Sequence, residues 1–200
     1  MQLEAKDLSF RYKNGDYIFK DINIAVSRGE RVALVAKSGY GKSTLAKVLA
    51  GYEKPTQGQV LLDGRPIIAG GYNPVQLIYQ HPEQAINPRW KMRSVLEESG
   101  PINKELIDAM GIEMDWLERY PRELSGGELQ RFSVCRALSE GTQFLIADEV
   151  STMLDVITQA QIWNVILDQA KRRNLGMLVV THNSHLAKRV CTRIVELDKL

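Results

Sequence analysis

The fold is decided by one stretch of the sequence, Ala36-Lys37-Ser38-Gly39-Tyr40-Gly41-Lys42-Ser43-Thr44. The apolar run at 32–35, just before it, is short and contains β-branched valines, which is typical of a buried strand. After it, apolar residues at 45, 48 and 49 recur at helical spacing until Gly51, which indicates a helix that ends there. The stretch is therefore predicted to form a loop that leads from a buried strand into a helix.

A glycine-bearing loop between a strand and a helix is suited to binding phosphate. Small residues let backbone N–H groups turn toward anionic oxygens, and the N-terminus of the helix adds positive potential. In loops of the form G-x-x-x-x-G-K-[ST], the lysine reaches the β- and γ-phosphates and the hydroxyl holds Mg²⁺. Lys42 and Ser43 stand at those positions, whereas Ala36 replaces the first glycine and predicts a slightly altered start of the loop, because alanine resists positive φ. The alternative is an ordinary connection that happens to contain Gly-Lys-Ser.

Length and composition limit the classes of protein that need considering. A chain of 200 residues with 44% hydrophobic content is expected to be one domain, or one domain with a small insertion. A net charge of +2 does not favour a general nucleic-acid surface, and Cys135 and Cys191 form no CxxC pair that would indicate a metal site or a disulfide framework. The first residues are too charged for a signal peptide, and no apolar run approaches the ~20 residues that cross a bilayer. We therefore expect a cytosolic chain unless a partner carries it to a membrane.

Hydrophobic patterning predicts an α/β fold. Residues 2–10 and 18–26 alternate as strands around a turn at 13–16. Further strands are predicted at 59–62, 66–68, 75–79, 144–147, 177–181 and 193–197, with a turn at 63–64 and a long helix that ends near Asn174. Because strands alternate with helices, the sheet is expected to be largely parallel and covered on both faces.

The pattern changes between residues 83 and 122. Three short helical faces follow one another there, the second of them between Asn103 as a possible N-cap and Gly111 as a stop. We predict that 83–122 is a small helical subdomain inserted between the two parts of the core, 1–82 and 123–200.

Two carboxylates, Asp148 and Glu149, directly follow the buried strand at 144–147. The carboxyl end of a parallel strand lies on the ligand-binding edge of such a sheet. Asp148 is then expected to face Mg²⁺ beside Ser43, and Glu149 to polarise an attacking water. The alternative is a pair of solvated acids at a strand end.

A second anion-binding helix N-terminus is predicted at residues 124–131. Ser125, Gly126 and Gly127 precede a helix whose apolar residues follow the helical period, and such an end can accept an anion. The alternative is a plain serine N-cap with a flexible start.

The stretch where this second helix begins, Leu-Ser-Gly-Gly-Glu-Leu-Gln-Arg at 124–131, resembles the signature motif of the ATP-binding cassette (ABC) ATPases. The other marks of that family follow in its order. Tyr12 falls at the adenine-stacking aromatic (with a strand-end aromatic as the alternative), and 36–44 at Walker A. Gln80 matches the Q-loop glutamine, 144–149 Walker B, 151–155 the D-loop, and His182 the switch histidine. The resemblance implies a P-loop NTPase of the ABC type, with a mostly parallel core sheet, an N-terminal antiparallel β part and a small helical subdomain.

The resemblance also implies the cofactors and the role of each residue. It implies catalytic roles for Glu149, His182, Gln80 and Lys42. It implies ATP contacts from Tyr12, Lys37, Ser38, Gly39, Gly41, Lys42, Ser43, Thr44, Ser125, Gly126 and Gly127, and Mg²⁺ contacts from Ser43, Gln80 and Asp148. In this family two subunits pair head to tail, so that each ATP lies between the Walker A loop of one subunit and the signature of the other.

A narrower resemblance follows Gln80. Tyr79-Gln80-His81-Pro82, then 87–89 and 95–98, resemble the oligopeptide, dipeptide and nickel importer ATPases. This implies an ATP-hydrolysing subunit on the cytoplasmic face of the membrane, bound to permease subunits and served indirectly by an extracytoplasmic solute-binding protein. The alternatives are a soluble ABC ATPase that acts on nucleic acid or ribosomes, and a weakly hydrolysing regulatory subunit. The second is suggested by Ala36, Val150 and Met153, which depart from the family pattern.

The helical block is also the predicted docking site for the permease. Its apolar residues are expected to exceed what three short helices can bury among themselves, which leaves an exposed apolar cleft with Trp90 or Met92 near its edge. The alternative is that these side chains all pack inward against the core.

Overall fold

The computed structural model describes residues 1–13, 15–37, 39–67, 70–150 and 154–197. The strands are β1 Gln2–Phe10, β2 Phe19–Ser27, β3 Arg31–Val35, β4 Gln57–Leu62, β5 Arg65–Pro66, β6 Val75–Ile78, β7 Phe144–Asp148, β8 Gly176–Val180 and β9 Arg193–Glu196. The helices are α1 Lys42–Leu49, α2 Met92–Glu97, α3 Lys104–Ala109, α4 Gly126–Ala137, α5 Val156–Arg173 and α6 Ser184–Val190. Short 3₁₀ turns lie at Pro82–Gln84, Met114–Glu118 and Pro121–Glu123.

The core sheet has the strand order β6-β7-β8-β3-β9, and every neighbouring pair in it is parallel. All residues of β7 and β8 are buried, because helices cover a parallel sheet on both faces and its central strands become continuous apolar runs. The predicted α/β architecture is confirmed.

A second, antiparallel sheet has the order β2-β1-β4-β5. The predicted N-terminal hairpin is present, with Phe10 paired to Phe19. The short strand predicted at 66–68 begins earlier, because Asp63 and Gly64 both adopt positive φ and form a two-residue turn that pairs Leu62 directly with Arg65. Ile68 lies outside the described residues.

Polar side chains at the helix N-termini set where the helices begin. Asp155 accepts hydrogen bonds from the backbone N–H groups of Ile157 and Thr158 at the start of α5. At the other end, α5 stops at Asn174 in the left-handed conformation, as predicted. Sequence periodicity did not indicate α6, since that helix buries only Ala187 and Val190.

The helical segment packs onto α4 and shares one hydrophobic cluster with it. Asn103 caps α3 by accepting a bond from the Leu106 N–H at 3.0 Å, as predicted. Met92 is fully buried in this cluster, so the prediction that it could lie at the edge of an exposed cleft is wrong. A helix as short as α2 presents its apolar face to α4, and Trp90, just outside α2, stays 40% exposed instead. That 83–122 forms a separate subdomain stays a prediction.

No helix in the described part of the chain is long and apolar enough to cross a membrane.

Candidate active site

Four predicted site residues follow the carboxyl ends of four parallel strands. Lys42 begins the helix after β3, Gln80 follows β6, Glu149 follows β7, and His182 follows β8. Because parallel strands end at a common edge, residues far apart in sequence meet there.

The loop after β3 has the backbone that its glycines predict. Gly39 and Gly41 adopt φ of 87° and 79°, which favours glycine. A Cβ on Gly41 would lie 2.4 Å from Cγ2 of Ile18. Ala36 is not among the residues with positive φ. Alanine therefore stands in the place of glycine without a strained backbone, and the φ angle gives no reason to expect an altered start of the loop. Ser38 lies outside the described residues.

The ammonium of Lys42 is held over this loop. The side chain is buried, and its Nζ donates to the carbonyl oxygens of Ala36 at 2.8 Å and Lys37 at 2.9 Å. An ammonium has three N–H donors. These bonds therefore fix the charge at the loop while leaving donor capacity toward a phosphate oxygen.

Asp148 and Ser43 form the candidate cation site. Asp148 is 4% exposed, and the Ser43 hydroxyl donates a hydrogen bond to it. Burial raises the pKa of the Asp148 carboxyl, which the bond from Ser43 opposes. Oδ1 of Asp148 is buried without a hydrogen-bond partner among the described residues.

A buried carboxylate oxygen without a donor, next to a hydroxyl, fits Mg²⁺. This ion takes oxygen ligands and is commonly held by one or two protein groups plus phosphate oxygens and water. The described residues contain no group of three or more His, Cys, Asp or Glu side chains suited to a metal. The cation would thus depend on Ser43, Asp148 and the phosphates.

Glu149 lies between an amide and an imidazole. Its Oε1 is 3.1 Å from Nδ1 of His182, and its Oε2 accepts from Nε2 of Gln80 at 3.4 Å. Its backbone has φ of 46°, unusual for glutamate, and its N–H donates to the Val180 carbonyl at 3.0 Å. A carboxylate held in this way can accept a proton from a water.

A cavity of about 600 Å³ brings the loop and the carboxylate together. Its lining includes Gly39, Gly41, Lys42, Ser43, Thr44, Gln80 and Glu149, all of them predicted site residues. Its volume suits a ligand of nucleotide size. Tyr17 and Ile18 also line it, and sequence reasoning missed both. For Tyr17 a signal was present, because aromatic residues stand on both sides of the turn at 13–16.

Other predicted residues do not line that cavity. Tyr12 is 49% exposed and packs edge-on against Phe10 at 4.8 Å between ring centroids. Ser125 is the N-cap of α4, where its Oγ accepts from the Glu128 N–H at 3.3 Å and its own N–H donates to the Glu128 carboxylate at 2.7 Å. His182 lines a smaller cavity of about 200 Å³, which Glu149 also lines.

The signature glycines lie near the end of the D-loop. A Cβ on Gly127 would meet Leu154 at 3.6 Å, an ordinary contact distance. Ser125, Gly126 and Gly127 are absent from the lining of the cavity that holds Lys42. Within this chain the two predicted anion-binding ends therefore do not share a cavity. Residues 151–153 of the D-loop, Met153 among them, lie outside the described part of the chain.

Val150, another departure from the family pattern, is buried in the core cluster. It packs as an ordinary core residue and removes no polar group from the site.

The sequence of this chain is similar to those of known proteins. The profile of the ABC transporter family matches residues 19–152. The chain is 32% identical over 203 residues to the nickel import ATP-binding protein NikE of Rhodospirillum rubrum, covering 91% of this chain and 73% of the relative. It is 32% identical over 208 residues to the nickel import system ATP-binding protein NikE of Staphylococcus aureus, covering 98% and 86%.

Solved structures agree on the fold. An ATP-binding subunit of an ABC transporter matches with a TM-score of 0.85 and 25% identity, over 98% of this chain and 85% of that one. A dimeric ATP-binding cassette in a post-hydrolysis state, bound to ADP and Pi, matches with a TM-score of 0.83 and 24% identity, over 97% and 93%. At that identity the second match supports the fold alone.

Proposed function

This chain belongs to the ABC transporter family and is an ATPase, and from that premise we propose that it powers an importer of the peptide and nickel class. Two observations support the proposal. Lys42, Gln80 and Glu149 line one cavity, and most of the chain is similar to nickel import ATP-binding proteins. The chain would work on the cytoplasmic face of the membrane, bound to separate permease subunits.

The site residues divide the chemistry of ATP hydrolysis between them. The amides of the loop and the Lys42 ammonium stabilise charge on the transferring phosphoryl group. Ser43 and Asp148 would hold Mg²⁺, which supplies charge neutralisation at the phosphates when bound. Gln80 is proposed to sense that cation and the γ-phosphate from the end of β6.

Glu149 is the proposed general base. It would orient the attacking water and accept its proton, while His182 at 3.1 Å fixes the carboxylate and is proposed to contact the γ-phosphate. The positive φ of Glu149 aims the side chain between His182 and Gln80, so a backbone conformation that is costly for glutamate supports the geometry of the site.

A second ABC subunit would complete each site. Ser125, Gly126 and Gly127 form the N-terminus of α4 and do not line the cavity of their own chain. Such an end binds anions, and in a head-to-tail dimer it would meet the γ-phosphate of the partner's nucleotide. The partner is either an identical chain or a related one.

The permease is proposed to dock in a groove between β6 and the helical segment. This groove, of about 310 Å³, is lined in part by Tyr52, Tyr72, Gln76, Glu98 and Arg136. Both tyrosines are exposed, and Arg136 pairs with Glu98 at 3.3 Å. Exposed rings beside paired charges suit a short amphipathic helix. Since Gln76 belongs to β6, which leads to Gln80, a helix seated here would act on the site through that strand.

Transport measurements test the proposal. A strain that lacks this chain is compared with strains that carry the wild type or Lys42→Ala, and uptake of Ni²⁺ and of a labelled dipeptide is followed. Loss of one uptake activity, restored by the wild type and not by Lys42→Ala, supports import and selects between the two substrates. Unchanged uptake of both contradicts the proposal.

A further inference from the structure

We propose that Gln130 is a positioning residue for ATP hydrolysis, because it holds the peptide unit from which Gln80 reaches into the site. The inference rests on the proposed roles of Gln80 and Glu149 in hydrolysis. Gln130 itself is absent from the lining of the cavity at Lys42, so its effect on the reaction passes through Gln80.

Gln130 is a polar residue on the buried face of α4. Its side chain is 2% exposed, and the residues one and two turns further along that face, Ser133, Val134 and Ala137, are also buried. An amide in such a place costs folding free energy unless it forms hydrogen bonds. The position therefore requires a partner inside the protein.

That partner is a backbone carbonyl at the end of β6. Nε2 of Gln130 donates a hydrogen bond to the carbonyl oxygen of Tyr79 at 3.3 Å, across 51 positions of the sequence. The pairing of β6 with β7 ends at Ile78 and Ala147, so this carbonyl lies beyond the ladder of the sheet. The Gln130 side chain thus takes over from the neighbouring strand at the point where the chain leaves β6.

A fixed Tyr79 carbonyl fixes the start of Gln80. The carbonyl of Tyr79 and the N–H of Gln80 belong to one peptide unit, which is planar. A hydrogen bond to its oxygen therefore restricts rotation of the whole unit and the direction in which Gln80 leaves the backbone. From there Nε2 of Gln80 donates to Oε2 of Glu149 at 3.4 Å, and both residues line the cavity at Lys42.

The side chain of Tyr79 is held separately from its carbonyl. Its ring packs edge-on against Tyr52, with 5.6 Å between ring centroids, and the Lys47 ammonium lies 5.9 Å from its centroid. These contacts come from α1 and the turn after it, whereas the bond to the carbonyl comes from α4. The bond from Gln130 acts on the peptide unit that Tyr79 shares with Gln80.

Loss of this bond predicts slower chemistry with normal nucleotide binding. ADP is held by the phosphate-binding loop, whereas a displaced Gln80 changes the surroundings of Glu149. Gln130→Met removes the donor and nearly keeps the volume of the side chain. It should release phosphate about 10-fold more slowly or worse in a single turnover, since small displacements at a reacting centre reduce rates strongly. Its ADP affinity, measured by calorimetric titration, should stay within about 2-fold of the wild type.

A second variant separates positioning from packing. Gln130→Glu replaces the amide by a carboxyl group, which can donate to the Tyr79 carbonyl only when it is protonated. Its rate of phosphate release, divided by the wild-type rate at the same pH, should therefore rise by about 3-fold or more as the pH is lowered from about 9 to about 6. The same ratio for Gln130→Met should not change with pH, because methionine does not titrate.

Gln143→Met is the matched control. Gln143 lies directly before β7 and also has a buried side-chain oxygen, but it is absent from the lining of the cavity at Lys42. The same chemical change there should leave phosphate release within about 2-fold of the wild type.

The outcomes are distinguishable. Phosphate release by Gln130→Met at the wild-type rate, or an equal loss in Gln143→Met, would overturn the inference. So would a ratio for Gln130→Glu that does not change with pH, and that comparison stands by itself if Gln130→Met does not fold. If the wild type bound ADP but released no phosphate from ATP, the proposed function would fail as well. Normal hydrolysis by the wild type with an unaffected Gln130→Met removes this inference alone.

Discussion

Nδ1 of His182 lies 3.1 Å from Oε1 of Glu149, although the two residues are 33 positions apart in the sequence. The contact exists because β7 and β8 are adjacent and parallel, so the residues after their carboxyl ends meet. It joins the proposed base, whose side chain is mostly buried, to a histidine whose side chain is exposed. The contact therefore holds the carboxylate of the proposed base in place beside the imidazole.

Glu149→Gln should bind ATP and release phosphate about 100-fold more slowly or worse, because the amide keeps the shape of the carboxylate but cannot accept a proton. Phosphate release under single-turnover conditions measures this, with ATP binding followed in parallel. Near-normal phosphate release would remove Glu149 from the mechanism.

Gly41→Ala should weaken ADP binding strongly, because the added Cβ meets Ile18 at 2.4 Å and the residue holds φ of 79°. Gly64→Ala is the matched control, since Gly64 has φ of 73° and open space around it. The control should lose about 1 kcal/mol of folding free energy through backbone strain while its ADP affinity stays at the wild-type value. Equal ADP affinities for the two variants would contradict the prediction.

ATPase activity per chain should rise steeply with protein concentration, because each site is proposed to be completed by Ser125, Gly126 and Gly127 of a second subunit. A mixing experiment sharpens this. Lys42→Ala and Gly127→Asp should each be nearly inactive alone, and an equal mixture should recover about a quarter of the wild-type activity, since random pairing gives one intact site in half of the dimers. Absence of recovery would count against sites completed in trans by an identical chain.

Glu98→Lys should weaken binding to the permease, because it places two like charges together at Arg136 in the proposed docking groove. Glu97→Lys makes the same charge change one residue earlier on α2, at an exposed position outside the groove. Co-purification with the permease measures the difference. Equal retention of the permease by both variants would place the docking surface elsewhere.

Met92→Ala should lower the free energy of unfolding by about 2–5 kcal/mol, because it leaves a cavity in the cluster shared with α4. Trp90→Ala should cost less than about 1 kcal/mol, since that ring is 40% exposed. Urea denaturation compares the two variants. A smaller loss for Met92→Ala than for Trp90→Ala would contradict the packing described.

Much of the site could be predicted from the sequence, because its parts are local. Gly39 and Gly41 need positive φ, Lys42 starts a helix, and Asp148 with Glu149 ends a buried strand, and each of these follows from a few neighbouring residues. The ends of the β1–β2 hairpin and the stop of α5 at Asn174 were predicted for the same reason.

The remaining features depended on contacts between distant segments. Periodicity placed Met92 on the apolar face of a helix, but only the packing of α2 on α4 decided that its side chain is buried. Residue 18 was predicted to begin a strand, but only the fold brought the Ile18 side chain against Gly41 of the loop. Likewise the sequence indicated which groups are candidates for the chemistry, whereas the parallel order of β6, β7 and β8 decided that Glu149 contacts both Gln80 and His182. Local backbone preferences can be read from neighbouring residues, but the burial and the contacts of a side chain are set by whichever segments the folded chain brings against it.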